Sequence, residues 1–171
     1  MSPLRKIVVL IIEDSNTVRH LYKMTFEKEG FEVLEAANGR DGWIQAYQKM
    51  PDIIVLDMIL PDFHGLEVLK KIRSNSTTKN IPVLALTSLK EIQDIQKAIN
   101  LGANYYSVKG SDSPQKIVEM IYKLLKRKAQ DTLQEAAPKA EKQEAPDPPS
   151  PQENQQPDLT DDDDIEFITN E

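Results

Sequence analysis

The sequence of 171 residues contains no cysteine, only six glycines and no apolar run long enough to cross a bilayer. The lack of cysteine excludes a disulfide scaffold, a thiolate metal site and a cysteine nucleophile. The apolar run at residues 7–12 has six residues and no small-residue cleavage site after it, so it predicts neither a membrane span nor a secretion signal. We therefore expect a cytoplasmic protein with no membrane partner.

Charge divides the chain into two parts. Residues 1–128 carry 19 basic and 15 acidic residues, whereas residues 129–171 carry 2 basic and 13 acidic residues and six of the eleven prolines. Only the first part can bury a core. We predict a folded domain at 1–128, a Pro-rich disordered linker at 129–158 and an acidic-hydrophobic motif at 159–171, which is either a solubilising tail or a docking segment. Because the basic residues are scattered, we expect no direct nucleic-acid binding.

Hydrophobic periodicity alternates between two patterns along the first part. Runs rich in branched apolar residues predict five strands, at residues 6–12, 31–36, 52–57, 81–87 and 104–108. Apolar residues at spacings of three and four predict a helix after each strand. Three strands are apolar throughout, which is typical of parallel strands covered on both faces. Five βα units with short connections predict an α/β, doubly wound, three-layer sandwich.

The helical repeat also predicts which helix faces are buried, as the first two helices illustrate. The first begins after the N-cap residue Ser15 and directs Leu21 and Phe26 toward the sheet. The second directs Trp43 and Tyr47 inward. These assignments follow from the helical repeat alone.

Polar groups stand at the ends of four predicted strands. The first strand is followed by Glu13 and Asp14, the third ends in Asp57, the fourth ends in Thr87, and the fifth leads to Lys109. The carboxyl ends of parallel strands meet at one edge of the sheet, so these groups converge. Three converging carboxylates require a cation, and oxygen ligands suit Mg²⁺. A metal, a hydroxyl and an ammonium would neutralise phosphoryl oxygens, while one carboxylate attacks.

This set of motifs resembles the receiver domain of two-component response regulators, with a layout close to the single-domain chemotaxis regulator. The resemblance covers about residues 5–127, and it lies in Glu13-Asp14, in Asp57-Met-Ile-Leu-Pro-Asp-Phe-His-Gly65, in Thr87-Ser88 and in Gly102-Ala-Asn-Tyr-Tyr-Ser-Val-Lys109. It implies a flavodoxin-like fold, with five helices and a five-stranded parallel sheet in the order 2-1-3-4-5.

The resemblance also implies roles for individual residues. Asp57 would accept a phosphoryl group from a phosphohistidine of a histidine kinase or phosphotransfer protein. The side chains of Asp14 and Asp57 would bind Mg²⁺, Glu13 would bind it through water, and Ile59 would bind it through its backbone carbonyl. Thr87 would donate to a phosphoryl oxygen.

Further roles concern the output of the signal. Lys109 would pair with another phosphoryl oxygen, and Tyr106 would swing inward when Thr87 moves toward the phosphoryl group. The fourth helix, fifth strand and fifth helix would then contact an unidentified protein target, and the acidic tail is a further candidate partner. We expect a signalling switch rather than an enzyme, limited to self-catalysed phosphoryl acceptance and slow autodephosphorylation. The apolar residues Ile59 and Leu89 would screen the phosphoryl group from water.

One position departs from the family pattern. Gly110 follows Lys109 where the family usually has a proline in a cis peptide bond. Because a cis bond without proline costs about 3 kcal/mol, we predict a trans bond and a looser loop after the fifth strand. This departure leaves an alternative open, in which the chain is a receiver-like adaptor that binds partners without being phosphorylated.

Overall fold

The computed structural model describes residues 5–88 and 92–136, in which five strands alternate with five helices. Each strand begins within two residues of its predicted start, and each ends at the predicted residue. The elements are β1 (Val8–Ile12), α1 (Asn16–Lys28), β2 (Glu32–Ala36), α2 (Gly39–Lys49), β3 (Ile53–Asp57), α3 (Gly65–Ser74), β4 (Val83–Thr87), α4 (Ile92–Asn100), β5 (Tyr105–Val108) and α5 (Pro114–Ala136).

All five strands pair in parallel in the order β2-β1-β3-β4-β5. The winding reverses at β1, which pairs with β2 on one side and β3 on the other. All residues of β3 and β4 are buried, as expected for central strands that helices cover on both faces. The predicted doubly wound sandwich, with its flavodoxin-like strand order, is therefore confirmed.

Two separate apolar layers flank the sheet because alternate side chains of each strand point to opposite faces. In β1, Leu10 and Ile12 pack into the layer that contains Val68 and Ile72 of α3. Val9 and Ile11 pack into the other layer, with aromatic residues of α1 and aliphatic residues of α5. Apolar side chains therefore cover both faces of the sheet, and polar groups lie at the ends of its strands.

Two of the predicted helix-facing assignments are wrong. Leu21 is 52% exposed and Tyr47 is 49% exposed, although both were expected to face inward. In α1 the buried stripe is narrow, and Phe26, which contacts Phe31, occupies it. In α2, Tyr47 stacks against the outer side of Trp43, with 6.2 Å between their ring centroids. The helical repeat locates the centre of a buried face better than its margins.

Helix α5 continues to Ala136, so the predicted boundary after Lys128 falls inside it. Neither glycine nor proline interrupts the helix after Pro114, and its last turns contain good helix formers such as Ala, Leu, Gln and Glu. Residues 137–158 of the predicted linker and the whole 159–171 motif lie outside the described residues. None of the described helices is both long enough and apolar enough to cross a membrane.

Arg73, in the last turn of α3, ties together the segments that precede β4 and β5. Its guanidinium donates to the carbonyl of Gly102, with its Nη2 at 2.8 Å, and to the carbonyl of Ile81 at 2.9 Å. Gly102 has a φ of +93°, and a methyl group there would lie 2.9 Å from Arg73 Nε. The glycine is therefore needed both for its backbone conformation and for the close approach of the guanidinium.

We expect Gly102→Ala to lower the free energy of unfolding by about 2–3 kcal/mol, because backbone strain adds to the loss of Arg73 hydrogen bonds. Gly30→Ala is the matched control, since Gly30 has a φ of +86° but no atom within 4 Å of an added methyl group. Its cost should be about 1 kcal/mol, from strain alone. Urea unfolding measures both values, and equal costs for the two variants would contradict the steric role of Gly102.

Candidate functional site

Three carboxylates meet at the carboxyl edge of the sheet, as predicted. Glu13 and Asp14 follow β1, Asp57 ends the adjacent β3, and one oxygen from each side chain lies within 4.8 Å of the other two. Glu13 and Asp57 are only 2% and 3% exposed, whereas Asp14 is exposed to solvent. The site thus has a buried inner part and an open side from which a ligand can enter.

Lys109 extends from the end of β5 into this cluster. Its Nζ lies 2.6 Å from Glu13 Oε2 and 2.7 Å from Asp57 Oδ2. Burial acts to lower the pKa of Lys109, but the two carboxylates outweigh it and raise the pKa above its usual value. Burial also raises the pKa of Glu13, and the bond to Lys109 offsets only part of that effect. The lysine compensates much of the negative charge that the fold gathers.

Asp57 is held in one orientation by two donors. The Ile59 N–H donates to Asp57 Oδ1 at 3.1 Å, while Lys109 occupies Oδ2. The turn after Asp57 is compact because the Gly65 N–H donates to the Met58 carbonyl at 2.9 Å. A side chain at Gly65 would begin only 2.5 Å from the Asp57 carbonyl oxygen. The Ile59 N–H is thus placed at Asp57, and the role of its carbonyl as a metal ligand stays a prediction.

Arg19 shapes the turn that carries the acidic pair, and the sequence reasoning missed it. Its guanidinium donates to the carbonyls of Glu13, at 2.7 Å, and Asp14, at 3.3 Å. Ser15 caps α1 as predicted, and its N–H donates to Glu13 Oε1 at 3.2 Å. A cation one turn into the helix that follows an acidic pair is the sequence signal that could have identified Arg19.

Thr87 and Tyr106 connect the site to the outer side of the sheet. Thr87 is fully buried at the end of β4, and Tyr106 is half-buried on β5. The Thr87 side chain lies beside the Tyr106 hydroxyl and partly opposes the burial that raises the pKa of Tyr106. Tyr105 points to the opposite layer, so the predicted alternation of the two tyrosines is confirmed.

Two side-chain hydrogen bonds restrain the loop after β5. The Lys109–Gly110 peptide bond is trans, as predicted, and Gly110 has a φ of +81°. However, Asp112 fixes the loop by accepting from Ser107 Oγ at 2.6 Å and from the Tyr105 hydroxyl at 3.3 Å. These two hydrogen bonds restrain the loop, and the expectation that it is looser than one with the family's proline stays a prediction.

The balance of charge suits a divalent cation. Glu13, Asp14 and Asp57 bring three negative charges to within 4.8 Å of one another, and Lys109 supplies one positive charge. The remainder of about two negative charges matches Mg²⁺, whose preferred ligands are carboxylate oxygens and water. The exposed position of Asp14 leaves access for those waters, so the residues present fit the metal.

A parallel 2-1-3-4-5 sheet with three carboxylates, a lysine and a buried threonine at its carboxyl edge defines a receiver-type signalling domain. Residues 9–122 match the family described as the response regulator receiver domain. The chain belongs to this family.

Known relatives show the same relationship. The chain is 33% identical over 132 residues to the transcriptional regulatory protein SrrA of Staphylococcus aureus, a match that covers 77% of this chain and 53% of SrrA. The chain therefore spans about half the length of this curated relative. A putative response regulator from Chloroflexus aurantiacus is 31% identical, with a TM-score of 0.68 and coverage of 72% of this chain and 100% of that one. Chemotaxis protein CheY4 of Vibrio cholerae is 28% identical, with a TM-score of 0.66 and coverage of 70% and 99%.

We expect Lys109→Met to destabilise the domain by about 2 kcal/mol at neutral pH without metal, because it leaves Glu13 and Asp57 unpaired. The cost is smaller than for a fully buried pair because solvent screens the partly exposed lysine. Thermal unfolding with and without Mg²⁺ should show that the metal stabilises the variant more than the wild type.

Lys116→Met is the matched control, since Lys116 pairs with the exposed Glu119 and its loss should change stability little, with or without Mg²⁺. Equal responses of the two variants to Mg²⁺ would contradict the compensating role of Lys109.

Proposed function

We propose that the chain is a response regulator that accepts a phosphoryl group on Asp57, with Mg²⁺, from a phosphohistidine of a histidine kinase or phosphotransfer protein. The observation that carries this proposal is the double contact of Lys109 Nζ with Glu13 and Asp57 beside the exposed Asp14. An ion pair with a purely structural role needs one carboxylate for one lysine, whereas this cluster holds three carboxylates for Lys109.

The geometry supports an in-line transfer to Asp57. An oxygen of the carboxylate attacks phosphorus, a P–O bond forms, and the P–N bond to the donor imidazole breaks, with the electron pair leaving on nitrogen. The two donors on Asp57 hold the carboxylate still, which lowers the entropic cost of reaching the transition state. The chain therefore contributes mainly position and charge to the reaction.

Mg²⁺, Lys109 and Thr87 would each interact with a negatively charged phosphoryl oxygen. Asp14, Asp57, Glu13 through water and the Ile59 carbonyl would hold Mg²⁺, which supplies positive charge to those oxygens when it is bound. Lys109 is already within reach of Asp57 and would pair with another oxygen. The Thr87 hydroxyl would donate a hydrogen bond to a third phosphoryl oxygen. Preorganised donors of this kind contribute a large part of the catalysis of phosphoryl transfer.

Movement of Thr87 would transmit the signal. Phosphorylation adds about 1.5–2 negative charges and three acceptor oxygens, which would attract the Thr87 hydroxyl that now lies beside Tyr106. The Tyr106 ring would then move inward and change the face formed by α4, β5 and α5. A protein target, unidentified by the sequence, would recognise this face in the cytoplasm. The role of the acidic tail as a further partner concerns residues outside the described part of the chain.

We expect incubation with acetyl phosphate and Mg²⁺ to add the mass of one phosphoryl group to the full-length protein, and Asp57→Asn to abolish the addition. Intact-mass spectrometry makes the measurement. The exposed Asp131→Asn variant is the control for loss of one carboxylate, and it should be modified like the wild type. Decay of the added mass after donor removal reports autodephosphorylation, expected to take minutes or longer because the Ile59 side chain lies at the site.

A folded wild type that gains no mass under these conditions would overturn the proposal. It would favour the alternative, in which the chain is a receiver-like adaptor that binds its partners unphosphorylated. A mass addition that persists in Asp57→Asn would instead show that another residue accepts the phosphoryl group.

The coupling of Thr87 to Tyr106 has its own test. With fluorinated tyrosine, phosphorylation should shift the ¹⁹F resonance of Tyr106 in the wild type and much less in Thr87→Val, which cannot hydrogen bond to the phosphoryl group. Thr87→Ser should restore the shift. Tyr105, which faces the other layer and bonds to Asp112, is the internal control. An equal Tyr106 shift in Thr87→Val would rule out the hydroxyl as the link.

A further inference from the structure

A second cavity lies at the amino-terminal edge of the sheet, opposite the phosphorylation site. It has a volume of about 490 Å³ and is enclosed by the end of α3, the segments that lead into β4 and β5, and the second half of α5. Ile81 and Pro82 precede β4, and Ala103 and Asn104 precede β5. Nothing in the phosphorylation chemistry uses this edge.

Positive charge dominates the lining of this cavity. Arg73, Lys79, Arg127 and Lys128 line it, against the single carboxylate of Asp131. Within residues 5–88 and 92–136, the side chains of Lys79, Arg127 and Lys128 form no ion pair. The net charge of the lining is therefore about +3, and it comes from three separate segments of the chain.

Arg73 gives this charge a fixed position. Its five N–H groups make five hydrogen bonds, at 2.8–3.0 Å, and uncharged oxygens accept all of them. The acceptors are the Gly102 carbonyl, which accepts twice, the carbonyls of Lys79 and Ile81, and the side-chain oxygen of Asn104. Burial lowers the pKa of Arg73, and no carboxylate among the described residues pairs with it. All N–H donors of the guanidinium therefore have acceptors, but no carboxylate among the described residues neutralises its charge.

The two kinds of cation have complementary properties for binding an anion. Arg73 has no donor left for a ligand, so it acts through its charge at the inner wall, where lowered solvent access strengthens the field. Lys79 and Arg127 are exposed at the rim, and their donors are available to contact a ligand directly. A ligand that fits this arrangement carries several negative charges close together.

We infer that this cavity binds a small molecule that carries a diphosphate group. Two linked phosphates bring two to three negative charges, which match the net charge of the lining. A volume of about 490 Å³ is larger than one phosphate needs and lies in the range of small-molecule sites. Arginine and lysine side chains are the residues that recognise phosphate oxygens. This inference does not depend on phosphorylation of Asp57, because the two sites lie at opposite edges of the sheet.

Inorganic diphosphate is the probe, titrated into the full-length protein by calorimetry at physiological ionic strength. EDTA is present so that no metal-dependent binding at Asp57 contributes. The wild type should show one saturable site, and Lys79→Gln combined with Arg127→Gln should weaken binding by about tenfold or more, because two charge-assisted contacts are lost. Arg73 is left intact because it holds the fold together.

Lys123→Gln combined with Lys126→Gln is the matched control. It removes the same number of charges from exposed positions of α5 that do not line the cavity, and it should change the affinity less than about twofold, as expected for distant screened charges. Three outcomes would overturn the inference. They are no saturable binding to the wild type, an unchanged affinity in the Lys79/Arg127 variant, and equal weakening in both double variants, which would indicate general attraction to a basic surface.

Discussion

The rest of the structure depends on the mutual repulsion of three carboxylates and on its compensation by one lysine. Glu13 and Asp57 are almost fully buried, and two such charges are unfavourable unless a cation lies between them. Lys109 contacts both, and its position in turn depends on the pairing of β5 with β4 and on the loop that Asp112 fixes. The excess negative charge creates a place that suits a divalent cation.

The two edges of the sheet have opposite electrostatic character for the same topological reason. A parallel sheet collects all carboxyl strand ends at one edge and all amino ends at the other. Acidic residues follow the strands at the first edge, while basic residues of α3 and α5 reach the second. In both places a buried or partly buried cation is held by several acceptors. At Lys109 those acceptors are carboxylates, and at Arg73 they are neutral oxygens, so only the second edge retains positive charge.

Sequence reasoning was accurate where a short repeat or an end signal acts locally. All five strands end where predicted, and all except β2 end at a change from branched apolar to polar residues. It failed for Leu21 and Tyr47, whose place at the margin of a helix face depends on how the helix is rotated against the sheet. It also missed Arg19, which donates to the backbone carbonyls of Glu13 and Asp14. The residue types at positions 13 and 14 do not specify contacts with their carbonyls, so only the position of Arg19 after the acidic pair pointed to it.

The sequence by itself determined which charged residue stands at the end of which strand, that Asp57 is the central carboxylate, and the family. These features depend on residue types at fixed spacings. Only the tertiary structure decided that one Nζ bridges Glu13 and Asp57, that Thr87 lies beside Tyr106, and that Asp112 holds the loop in which Gly110 replaces proline. The reason is physical. A spacing in the chain selects the edge of the sheet on which a side chain lies, whereas distances of about 3 Å between residues far apart in sequence are set by strand register and packing.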